Sequence, residues 1–136
     1  MRKGFTLIEL LVVVTIIAAL AMIAMPRYQE SRAKAFFASM KADLRQLSDL
    51  QEMYYSGHNY LYGGSPGQSA QTVPELDFHA SEGVVVTVRA AANSGWSADA
   101  THAGLNAATQ RCAVFAGGAP ALPPAGTTGV IACMGE

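Results

Sequence analysis

The stretch Met1-Arg2-Lys3-Gly4-Phe5-Thr6-Leu7-Ile8-Glu9-Leu10, which continues in apolar character to Met25-Pro26, decides how this chain is read. From Phe5 to Met25 there are 21 residues, and Glu9 is the only charged one among them. As a helix rising about 1.5 Å per residue, the segment reaches roughly 31 Å, enough for a bilayer core of about 30 Å. No polar stripe recurs at three or four residues, so every side can face lipid or other helices. Arg2 and Lys3 precede the run, and cytoplasmic flanks are the ones rich in Lys and Arg. The expectation is that Met1 lies in the cytoplasm and everything after Pro26 lies outside.

Glu9 is the exception within this run. A carboxylate in hydrocarbon is costly unless it sits near the interface or is paired. It lies four residues from Phe5, about 6 Å along a helix, so it can stay near the headgroups. Away from the bilayer, inside a packed assembly, it would need a positive partner. The alternative is an interfacial acid that is merely tolerated.

Gly4-Phe5-Thr6-Leu7-Ile8-Glu9-Leu10, with a basic leader before it and an apolar helix after it, resembles the N-terminus of a type IV prepilin. The resemblance continues through Pro26 and Tyr28, and its motif covers about the first 30 of the 136 residues. It implies cleavage between Gly4 and Phe5 by a prepilin peptidase, which then N-methylates the new amine of Phe5. It implies that Glu9 pairs with the N-terminal amine of a neighbouring subunit during filament assembly. It also implies an α+β fold, in which a long kinked N-terminal helix packs against a small antiparallel sheet. The implied partners are further copies in a helical filament, the peptidase/N-methyltransferase and the inner-membrane pilus assembly machinery. The implied location is the bacterial inner membrane before assembly and an extracellular pilus afterwards. The leader, Met1–Gly4, is short for that family but keeps its basic charge and its Gly.

Three other readings stay open. Ala19-Leu20-Ala21 offers an A-x-A cut, so the segment could be a secretory signal peptide with a mature chain starting at Met22. Against this, the apolar run continues past that site and an acid stands at its start. Within the same architecture, the chain could be a pseudopilin of a type II secretion system. Such subunits often carry a C-terminal calcium loop, and the only acid here is Glu136. A membrane-anchored binding module that never polymerises is the reading of another class.

Charged residues make up 14% of the chain and the net charge is −1, so no basic field argues for nucleic-acid binding. Cys112 and Cys133 both fall in the part placed outside the membrane. An oxidising location favours a disulfide between them. Closing that loop is worth about 3 kcal/mol by the chain-entropy argument. The expected organisation is a leader at 1–4, a transmembrane and filament-core helix at 5–26, and an outer domain at 27–136.

Pro26 removes a backbone donor and predicts a kink near Met25-Pro26. Tyr28 suits the membrane interface. Beyond it, Ala33, Phe37, Met40, Leu44, Leu47, Leu50 and Tyr54 recur at helical spacing, so the helix continues with one face turned to a core. Glu30 and Lys34, like Arg45 and Asp49, are spaced for i,i+4 support. Gly57 accepts the left-handed cap conformation and predicts the stop. Residues 58–75 are dense in Gly and Pro and read as a loop, with Tyr60, Leu61 and Tyr62 folding back on the helix and a helical turn near Val73–Leu76. Gly83–Ala90 reads as a β-branched strand, and Trp96–His102 as a half-buried strand after an Asn-Ser-Gly turn. Arg111–Ala116 is a third strand and Val130–Cys133 a short last one, with a surface loop at 117–129 between them.

No catalytic constellation stands out. His58, His79 and His102 are scattered; Asp77 and Asp99 lie near two of them, but no metal-ligand spacing is present. Gly63-Gly64-Ser65-Pro66-Gly67 lacks the Lys and the strand–helix context of a phosphate loop. The cysteines show no C-x-x-C pattern. No catalytic residue, metal or cofactor is expected. Phe5, Tyr28, Phe36, Phe37, Tyr54 and Tyr55 along the helix are read as interface anchors and packing groups rather than as an electron path.

Overall fold

The computed structural model describes residues 4–67 and 69–136. The expected leader therefore lies, apart from Gly4, outside the described residues. One helix, α1, spans Leu7–Gly57 (51 residues) and contains Pro26. It ends as the apolar spacing ends, but the left-handed turn is not at Gly57. Asn59 (φ 55°) and Tyr60 (φ 61°) adopt it instead, and the Tyr60 N–H donates to the Tyr55 carbonyl at 3.2 Å. That six-to-one bond is the helix-closing pattern in which Asn is the usual substitute for Gly.

The chain divides into two compact units, Met1–Arg32 and Ala33–Glu136. The second is an α+β unit. Its strands are β1 (Ser69–Ala70), β2 (Thr72–Val73), β3 (Phe78–His79), β4 (Val84–Ala91), β5 (Gly95–His102), β6 (Arg111–Gly117) and β7 (Ala132–Met134). A 3-10 turn at Pro74–Leu76 links β2 to β3. Strands β1, β4, β5, β6 and β7 form one sheet in the order β1-β4-β5-β6-β7, and β2 with β3 forms a separate pair. Every pairing is antiparallel.

The amphipathic half of α1 behaves as its spacing predicts. Phe37, Met40, Leu44 and Leu47 are fully buried against Val84, Val86 and Val88 of β4 and Trp96, Ala98 and Ala100 of β5. Each large side chain removed from water contributes about 1.5–3 kcal/mol, which makes this layer the main source of stability.

Three expectations need correcting. The 58–75 segment is not all loop, because Ser69–Ala70 pairs with Thr87 and Val86 of β4 and Thr72–Val73 pairs with β3. Two-residue strands exist only through distant partners, so no local periodicity announces them. In the same segment, Tyr62 stacks on Tyr55 (4.5 Å between centroids) and Tyr60 meets it edge-on, but Leu61 stays exposed. Finally, β5 is not half-buried: Gly95 to Ala100 are buried on both faces. Beside Gly95 the backbone of Gly118 and Ala119 comes within 2.8 Å of where a Cβ would stand, and Ala125, packed on Phe115, is 2% exposed; Gly118, Ala119 and Ala125 belong to the segment expected to be surface loop.

Two polar devices hold these layers in register. Arg89 sits in a bulge, where the β4–β5 register slips between Val88 and Ala90, and pairs through Nε and Nη2 with buried Asp99 of β5. This carboxylate raises the Arg89 pKa, so the guanidinium stays charged. Gln51 of α1 is fully buried and clasps Gly63, with Nε2 donating to its carbonyl (2.7 Å) and Oε1 accepting from its N–H (2.8 Å). A Cβ at Gly63 would lie 2.6 Å from Leu76, which explains the glycine there.

Candidate assembly site

The α1 N-terminus builds its own cap from Thr6-x-x-Glu9. The Thr6 N–H and Oγ1 donate to Glu9 Oε2 at 2.9 and 2.6 Å, and the Glu9 N–H donates to Thr6 Oγ1 at 3.3 Å. This is a capping box, in which an N-cap hydroxyl and an acid three residues on satisfy each other's orphan donors. Thr6 went unassigned in the sequence reading, although the pattern Thr-x-x-Glu before an apolar run is its signal. Both bonds to the carboxylate fall on Oε2, so Oε1 has no hydrogen bond among the described residues. Glu9 thus holds a fixed position with one oxygen open to a cation.

Around it the helix surface is apolar and uncovered. Phe5 and Leu7 are each 82% exposed, and the apolar side chains through Met25 are exposed with them. Phe5, Ile8, Glu9, Val12 and Val13 line one continuous groove on this surface. By length and composition the helix can cross a membrane. An exposed apolar surface of this size marks a site of interaction with a membrane or with other protein surfaces. Gly4 is exposed, with open space where a Cβ would be. Pro26 lies inside α1, where its missing N–H leaves the Met22 carbonyl without its ordinary partner.

The remaining expected site residues fall in Ala33–Glu136. Cys112 and Cys133 form a disulfide across paired positions of β6 and β7. The three histidines are apart in function. His58 stacks on Tyr54, His79 lies 4.0 Å from Asp77, and His102 stacks on Phe36 while its Nδ1 accepts from the Gly104 N–H. Among the described residues no group of His, Cys, Asp or Glu is arranged to hold a metal.

Comparison with known proteins bears on the same N-terminus. Residues 1–25 match the family model described as the prokaryotic N-terminal methylation motif. The chain is 37% identical over 78 residues to a fimbrial protein of Neisseria meningitidis, covering 56% of this chain and 45% of that protein. It is 44% identical over 57 residues to the type IV wide pilus major component PilA4 of Thermus thermophilus, covering 42% of this chain and 44% of that one. It is 41% identical over 55 residues to the type IV major pilin protein PilA of Myxococcus xanthus, covering 40% and 25%. The chain thus spans less than half the length of these curated relatives.

Proposed function

We propose, for a chain whose N-terminus matches the prokaryotic N-terminal methylation motif and whose relatives include fimbrial and type IV pilus proteins, that it is a structural subunit of a filament built through its N-terminal helix. The observation that carries this reading is the uncovered apolar surface from Phe5 to Met25, interrupted by one acid with one open oxygen. In the precursor, lipid covers that surface. Cleavage after Gly4 by a prepilin peptidase creates the amine of Phe5, which is then methylated. Helices leave the bilayer and pack on one another, so burial among copies replaces burial in lipid. Glu9 Oε1 then takes the amine of a neighbouring Phe5. Pro26 gives the helix a place to bend during that transfer, since one rung of its ladder is already missing. The unit Ala33–Glu136 coats the outside. No step of this mechanism makes or breaks a bond on the subunit's own account, so its work is packing and charge compensation.

The test is direct. Filaments sheared from cells expressing this chain are analysed by mass spectrometry. The expected subunit begins at N-methylated Phe5. A filament fraction lacking the chain, or a mature chain beginning at Met1 or Met22, refutes the proposal.

A further inference from the structure

We propose that the notch between α1 and the Pro74–Leu76 turn is the docking point for Arg27 of a second copy of this chain, an inference that rests on the filament reading. The notch has a volume of about 420 Å³, an apolar floor of Leu50, Tyr54 and Leu76, and Met53 at its lip. Glu75 and Asp77 stand on its rim. Among the described residues neither acid is paired with a Lys or Arg. The Glu75 carboxylate is held by the Gly64 N–H at 2.6 Å. The Asp77 side chain is fully exposed, and its nearest basic group is His79 Nε2 at 4.0 Å. Asp77 takes the left-handed conformation (φ 51°), and its N–H closes the turn on the Pro74 carbonyl at 3.2 Å. The turn thus sets both acidic residues beside an apolar surface, with the Glu75 carboxylate anchored by the Gly64 N–H. That combination suits a guanidinium, which is planar, weakly hydrated and able to stack on an aromatic ring while it donates to carboxylates.

Charge selects the occupant. The unit Ala33–Glu136 carries eight carboxylates against five Lys and Arg. Of its cations, Lys41 is bound to Glu136 and Arg89 to Asp99, Lys34 is engaged, Arg111 is half-buried, and Arg45 stands four residues before Asp49 on α1, at the spacing of a helical ion pair. In Met1–Arg32, beyond the leader, the cations are Arg27 and Arg32. Arg32 lies over the Tyr28 ring. Arg27 is exposed and its side chain makes no ion pair or hydrogen bond among the described residues. In the precursor Arg27 stands at the outer face of the bilayer, where lipid phosphates compensate it. When the helix leaves the membrane those phosphates are lost, and a carboxylate of a neighbour must replace them. The rim of the notch supplies two.

The experiment compares filament yield from cells carrying Asp77→Lys, Arg27→Glu and the double exchange, with the amount of membrane-inserted precursor measured in each. Each single change is expected to lower sheared filament at least tenfold at unchanged precursor level. The double exchange is expected to return the yield to within about threefold of the parent. As a second readout, filaments carrying Arg27→Cys and Asp77→Cys together are expected to show disulfide-linked ladders on non-reducing gels, absent from either single variant. Parent-like filaments from Asp77→Lys, or a double exchange no better than the singles, overturns the docking and leaves the filament reading standing. A parent chain that forms no filaments overturns both.

Discussion

Gln51→Leu tests how the 58–75 segment is held to the helix. The side chain is fully buried and its two hydrogen bonds serve both backbone groups of Gly63. Leucine fills nearly the same space but offers neither donor nor acceptor. The Gly63 N–H and carbonyl are then left buried and unpaired, at about 1–3 kcal/mol each, or about 2–6 kcal/mol together. For a unit of about 100 residues, each kcal/mol corresponds to about 4 °C, so the unfolding midpoint should fall by about 8–24 °C. The assay is thermal melting of the full chain in detergent micelles, followed by the near-ultraviolet signal of buried Trp96. Gln46→Leu, on the exposed face of the same helix, is the control and should shift the midpoint by less than about 2 °C, as surface changes do. A drop under about 3 °C for Gln51→Leu, or one equal to the control, would refute the claim that this clasp carries the segment.

Three further outcomes are expected. Glu9→Ala should insert in the membrane as the parent does but yield no sheared filament; normal filaments would remove Glu9 from assembly. Replacing Cys112 and Cys133 together by Ala should lower stability by about 3 kcal/mol through the freed loop, with amide exchange rising first in β7; unchanged exchange there would contradict the role of the bridge. Burial and the nearby Glu52 carboxylate push the Tyr62 phenol above its ordinary value. Its folded pKa is therefore the higher one, so its contribution is intact below about pH 10 and is lost as pH rises through the folded value. Absorbance titration should show a tyrosine phase above the ordinary phenol range, and that phase should disappear in Tyr62→Phe.

The parts legible in the sequence are those written in local pattern. Phe5 to Met25 announces its helix by composition, and Phe37, Met40, Leu44 and Leu47 announce the continuing core face by spacing. Strands β4 and β6 follow from β-branched and apolar runs. Strands β1 to β3 were not legible, because two residues carry no period and their partners lie elsewhere in the chain. The Asn-Tyr pair that closes the helix displaced the more obvious Gly57, since the six-to-one bond decides where the left-handed turn falls. The depth of β5 is not written locally, because neighbours such as Gly118 and Ala119 beside Gly95 come from a segment whose Gly and Pro suggest only solvent. At the candidate site, Phe5 and Glu9 stand out as an aromatic after the expected cut and a charge in an apolar run. The use of one carboxylate oxygen and not the other needs coordinates. So does the acidic notch, whose walls come from two separate stretches, Leu50 to Tyr54 and Pro74 to Asp77.

The capping box at Thr6 and Glu9 carries a kinetic implication. A free glutamate samples several rotamers and must surrender that freedom when it meets a partner. Here the hydroxyl of Thr6 has already made the selection in the lone subunit, so under the proposed assembly an arriving amine would encounter a stationary target. Recruitment at a growing tip should accordingly be quick and intolerant of mismatched monomers, with Thr6→Val slowing elongation far more than it weakens the finished fibre.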